Sequence, residues 1–148
     1  MYSSIVVGTD GSETANVAVI HATKLAQAFG ATLHIVHVFH PLTKLGVAFG
    51  ALPIDVDEVQ ASLTGAAESV SAEAAQTARD LGVAYETHAV AGEPSDGLVA
   101  VAEAVGADLI VVGNHGMTGV RRVLGSVPNK ISHHAPCSVL IVDTTTTS

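Results

Sequence analysis

Cysteine is nearly absent from this chain: Cys137 is the single cysteine in 148 residues. An intrachain disulfide framework is therefore excluded, as suits a reducing compartment. Tryptophan is missing and aromatic residues make up only 3% of the chain. The core must then be built from Val, Ala, Leu and Ile, as where buried parallel strands dominate. Positive charge is scarce too: six Lys and Arg face fourteen Asp and Glu, a net charge of -8 with His neutral. A surface of that sign repels nucleic-acid backbones, so no nucleic-acid partner is expected. No stretch approaches the roughly 18 consecutive apolar residues of a membrane span. The opening MYSSIVVGTD has neither a basic segment nor an apolar one followed by a cleavage site. A cytoplasmic protein with no membrane partner is the expectation.

What the chain does have is apolar substance, 48% of its residues with mean hydropathy +0.45, which argues for a packed core. Its length suits one domain over 1–148. Short β-branched runs predict strands at Ser4–Val7, Leu33–Val38, Ala84–Val90, Asp108–Val112 and Ser138–Val142. Helices are expected between them. Ser12 is placed to cap the first, with Val17, Ile20, Leu25 and Ala28 as inward candidates and Gly30 past its end. The second runs from Asp55 to Asp80 and is closed by Gly82, with Gly65 a weak point. Pro94 suits the first turn of the third, which runs to Val105; the fourth covers Val127 to His134. Pro41 to Pro53 reads as loop, and the polar tail from Asp143 as frayed. This alternation implies an α/β fold, a parallel sheet with helices on both faces and right-handed crossovers.

Strands 1 and 4 both end in glycine, Val7-Gly8-Thr9-Asp10 and Val112-Gly113-Asn114-His115. In open α/β sheets ligands sit outside the carboxyl ends of the strands. Four glycines, Gly113, Gly116, Gly119 and Gly125, fall within thirteen residues, with Ser126 next. Glycine lets backbone approach a phosphate, successive amides form an anion nest, and a helix N-terminus adds free N–H groups. The segment is neither a P-loop, since it lacks the lysine and the spacing, nor a dinucleotide fingerprint. The bland alternative is a tight strand-to-helix turn. Asp10 likewise has two readings: an Asx turn leading into the first helix, or a carboxylate facing Mg²⁺ or Mn²⁺ bound to phosphates. Arg121-Arg122, the only basic doublet, either reaches phosphate oxygens or stays solvated. The eight histidines show no convergent spacing such as H-E-x-x-H, so a histidine metal cluster is not expected. Nor do a G-x-S-x-G elbow or paired carboxylates appear, so catalysis is not expected.

The run VVGNHGMTGVRRVLGSVPNKISHHAPCSVLIV, with IVVGTDGSETA and AGEPSDGLV, resembles the universal stress protein family over essentially the whole chain. The resemblance implies a Rossmann-like, doubly wound five-stranded parallel sheet of order 3-2-1-4-5. It implies a stress-response regulator that binds ATP and hydrolyses it at most incidentally, with unidentified regulatory protein partners. By resemblance, Asp10 contacts the ribose or a phosphate-bound Mg or Mn, Thr9 stands beside it in the binding site at the tip of strand 1, and Val38 meets adenine through its backbone. Gly113, His115, Gly116, Gly125, Ser126 and Val127 surround the ribose and phosphates. The family pattern is G-x2-G-x9-G-(S/T); here eight residues separate Gly116 from Gly125. A loop one residue short suits fewer phosphates, which leaves AMP or cyclic AMP open as the ligand. The resemblance also implies a homodimer through the apolar final strand Ser138–Val142, and a nucleotide-independent dimeric interaction module is a further alternative.

Overall fold

In the computed structural model, which describes residues 1–40, 56–114 and 127–145, strands and helices alternate along the chain. They are β1 (Ser4–Gly8), α1 (Glu13–Phe29), β2 (Thr32–Phe39), α2 (Val56–Asp80), β3 (Tyr85–Ala91), α3 (Pro94–Val105), β4 (Leu109–Gly113), α4 (Val127–His134) and β5 (Ser138–Val142). The five strands are parallel, in the order β3-β2-β1-β4-β5. The expected fold and strand order are thus what the chain adopts.

The strands read as apolar runs because the three central ones are covered on both sides. Ile5, Val7, Leu33, Ile35, Leu109 and Val111 point to one face, and α1 and α2 cover it. Val6, Val36, Ile110 and Val112 point to the other, against Leu98, Val101 and Ala102 of α3 and Ile131 of α4. Each such side chain contributes about 1.5–3 kcal/mol when fully buried.

The inward stripe of α1 differs from the expected one. Its buried residues are Ala15, Ala18, Val19, Ala22, Thr23 and Ala26, whereas Val17 and Leu25 pack only at the margin of that core and Ala28 is exposed. The reason is steric. Alanines let the helix axis approach the sheet closely, and the bulkier side chains then fill the flanks. Thr23, polar and buried, returns its hydroxyl proton to Val19 O at 2.7 Å, so burial leaves no unpaired donor.

The helix ends follow the expected chemistry. Ser12 Oγ accepts from Ala15 N–H at 3.1 Å and caps α1. Gly30 takes the left-handed conformation past its last turn, at φ 67°, where a Cβ is penalised. At α3 the cap is Glu93, whose carboxylate accepts from Asp96 N–H at 3.2 Å and Ser95 Oγ at 2.6 Å. Among the described residues no helix is long and apolar enough to cross a membrane.

Candidate functional site

The chain leaves β1 toward β2 on one side, while β4 returns to β1 on the other, so the strand order reverses between β1 and β4. Ile5, Val6 and Val7 pair directly with Leu109, Ile110 and Val111. Parallel pairing brings both carboxyl ends to the same edge, and the β1 and β4 tips therefore open onto one crevice. The switch point is the position where open α/β sheets take ligands.

Thr9 and Asp10 form the β1 wall. Thr9 is buried. Its N–H donates to Val36 O at 2.9 Å, its Oγ1 accepts from Gly11 N–H at 3.1 Å, and its carbonyl lies 2.8 Å from His37 Nδ1. His37, which no sequence motif singles out, is a further component: as an N–H donor it fixes the Thr9 peptide. Asp10 Oδ1 accepts from Ser12 N–H at 2.9 Å, which is the Asx turn weighed from the sequence. Asp10 Oδ2 has no partner among the described residues. The structural reading of Asp10 therefore holds, and it uses only half of the carboxylate.

The β4 wall is built differently from what its glycine suggested. A Cβ on Gly113 would lie 2.8 Å from Thr144 Cγ2, so glycine is needed there for a packing contact as well as for any ligand. Asn114 Oδ1 accepts from Thr144 N–H at 2.9 Å and Thr144 Oγ1 at 3.1 Å. Asn114 N–H continues the sheet to Val142 O at 2.9 Å. Thr144 is 3% exposed, and Thr145 N–H returns to Asp143 Oδ1 at 3.0 Å. The expected fraying from Asp143 is thus incorrect as far as Thr145: Asn114 supplies the hydrogen bonds that a polar tail on its own lacks.

Val38 stands at the β2 end, half-buried. Its side chain faces α3, where a Cβ on Gly97 would meet Val38 Cγ2 at 2.6 Å. The side chain is committed to packing, which leaves the backbone for a ligand. Val127 opens α4 and packs against the core on the α3 side. His115, Gly116, Gly119, Arg121, Arg122, Gly125 and Ser126 lie outside the described residues, as does the whole expected loop from Pro41 to Pro53.

Two carboxylates near the strand ends are electrostatically set. Burial acts to raise Glu93, but hydrogen bonds from Ser95 and Asp96 N–H and the Lys130 ammonium 3.4 Å away outweigh it, and its pKa lies below the ordinary value. At the opposite edge burial likewise opposes, and the Ser3 and Ser4 donors overcome it to hold Asp108 low. Cys137, half-buried, has its thiol pushed up by burial and by Asp108; that disfavours the reactive thiolate, in line with a packing role.

The model of the universal stress protein family matches residues 1–143. A universal stress protein of Mycobacterium tuberculosis is 37% identical, with 97% of this chain and 98% of that one covered. A crystal structure of a universal stress protein in complex with cAMP superposes with TM-score 0.73 at 34% identity, covering 97% of this chain and 98% of that one. The universal stress protein from Archaeoglobus fulgidus in complex with dAMP superposes with TM-score 0.66 at 25% identity, covering 95% and 97%.

Proposed function

The chain belongs to the universal stress protein family, and from that premise we propose that it is a single-domain, cytoplasmic regulator that binds an adenine nucleotide in the β1–β4 crevice. The observation that carries this reading is the pairing of β1 with β4, which sets the Thr9-Asp10 turn beside the start of the glycine segment at Gly113. Related structures hold cAMP and dAMP, which supports adenine as the base.

In this reading the Val38 backbone meets adenine, and the ribose and phosphates lie among Gly113, His115, Gly116, Gly125, Ser126 and Val127. ATP is the ligand. Asp10, whose Oδ1 is taken by Ser12 N–H, would help hold a Mg²⁺ or Mn²⁺ bound to those phosphates, an all-oxygen setting such ions favour. The chain acts by binding rather than turnover: nucleotide shifts the population of a state that a protein partner reads. Dimerisation through β5 fits the exposure of Leu140 and Ile141 on that edge strand.

One observation favours a second reading. The eight-residue spacing from Gly116 to Gly125 is short for a triphosphate loop, and a neighbour at 34% identity holds cAMP. Cyclic AMP or AMP then replaces ATP in the same crevice. Calorimetric titration with ATP, AMP and cyclic AMP in parallel separates the two. Ser126→Ala and Gly116→Val each abolish binding of whichever nucleotide is preferred; intact binding in both refutes the site.

A further inference from the structure

On the sheet face that carries α3, away from the nucleotide crevice, three metal-ligating side chains converge. His34 of β2 pairs directly with Glu86 of β3, and His88 stands two residues further along β3, opposite Val36. Alternate residues share a face, so all three side chains stand on the same side. His34 Nδ1 lies 3.1 Å from His88 Nε2 and 3.3 Å from Glu86 Oε2. One ligand atom from each residue falls within 4.8 Å of the other two. The His34 side chain is 6% exposed while Glu86 is 63% exposed, so the group has a fixed floor and an open mouth.

Hydrogen bonding alone serves this group badly. Nδ1 of a neutral His34 carries at most one proton, yet two lone-pair-bearing atoms approach it. If Nδ1–H donates to Glu86, then His88 Nε2 is left beside a nitrogen with no lone pair to offer. If His88 Nε2–H donates instead, bare Nδ1 faces a carboxylate. A cation between the three atoms satisfies every approach at once.

We propose that His34, Glu86 and His88 bind a borderline divalent transition-metal ion, Zn²⁺ in particular. Tetrahedral Zn²⁺ with bonds of about 2.0–2.1 Å sets neighbouring ligand atoms about 3.3–3.4 Å apart, close to the two shorter separations here. Two imidazoles and a carboxylate suit Zn²⁺, Ni²⁺ or Cu²⁺ rather than Mg²⁺ or Ca²⁺, which take oxygen. Three protein ligands leave one position for water. Uptake fixes each neutral imidazole in the tautomer that carries its proton on the ring nitrogen turned away from the ion. The ion joins β2 to β3, an edge strand, and lowers a net charge of -8.

The test is titration of the metal-free full chain with Zn²⁺, read by calorimetry, melting temperature and the imidazole nitrogen resonances. One equivalent binds, the melting temperature rises, and the His34 and His88 resonances shift. Glu86→Gln and His88→Ala weaken binding by at least the about 10–100-fold that loss of an outer-shell partner costs, and the melting rise disappears. The double variant His133→Ala/His134→Ala, on α4, binds as the parent does. Absent binding, binding unchanged by His88→Ala, or binding lost only with the α4 pair overturns the proposal. Should His88→Ala fail to fold, Glu86→Gln and the parent's resonances still decide.

Discussion

Replacing Gly97 with alanine adds one carbon at a place where the fold has no room for it. That carbon would sit 2.6 Å from Val38 Cγ2 and 3.0 Å from Cγ1. Val38 is β-branched and held in a strand, so its rotamer cannot swing clear cheaply. Two terms oppose each other. Gly97 is inside α3, with its N–H bonded to Glu93 O at 2.9 Å, and alanine gains about 1 kcal/mol over glycine in such a position. Overpacking costs about 1–3 kcal/mol. The clash wins, and Gly97→Ala destabilises by about 1 kcal/mol, or about 2–4 °C in melting temperature for a chain of this size. In a Val38→Ala background the two methyls are gone and the residue's nearest remaining atom is Cβ, at 3.4 Å. There the same substitution becomes stabilising by about the helix term alone. A urea double-mutant cycle reads both signs. Gly97→Ala stabilising the parent, or no reversal in the Val38→Ala background, refutes the close approach of α3 to the β2 tip.

Other perturbations separate roles that overlap in one residue. Asp10→Asn keeps an oxygen for the Ser12 N–H bond but removes the charge, so melting is unchanged while any Mg²⁺ dependence of ATP binding falls; a large loss of stability contradicts the proposed division. Asn114→Ala orphans the buried Thr144 N–H and costs about 1–3 kcal/mol, with faster amide exchange at Thr144; unchanged exchange excludes the clasp. Glu93 and Asp108 lie below their ordinary values of 4.5 and 3.8. Their contribution is present above those values and is lost as pH falls through the lower folded ones. Melting temperature therefore drops below about pH 4, modestly because Glu93 is 39% exposed, and Glu93→Gln with Asp108→Asn flattens the drop; an equally steep double variant rules this out.

The strands were legible because Ile5-Val6-Val7 and Leu109-Ile110-Val111-Val112 are uninterrupted apolar runs, which only a doubly covered sheet explains. Helix limits were legible wherever backbone chemistry is local, as at Ser12, Gly30 and Pro94. What depends on contact across the fold was not. Bulk misdirected the reading of α1, because closeness to a sheet selects alanine over Val17 and Leu25. His34 and His88 are 54 residues apart, and strand register rather than spacing unites them. The hold of Asn114 on Thr144 is equally invisible along the chain. At the crevice, the Asx turn of Asp10 was legible from the Asp-Gly-Ser run, whereas His37 carries no signal beyond its place next to Val38.

The alanine stripe of α1 makes the tolerance of this core lopsided. Ala15, Ala18, Ala22 and Ala26 have almost no side chain to lose, so trimming them opens no cavity and costs mainly helix propensity. Enlarging any of them pushes a whole helix away from three strands. Drift at these positions is therefore a ratchet: smaller residues are survivable, larger ones are not, and variation along this face is confined to the flanks where Val17 and Leu25 already stand.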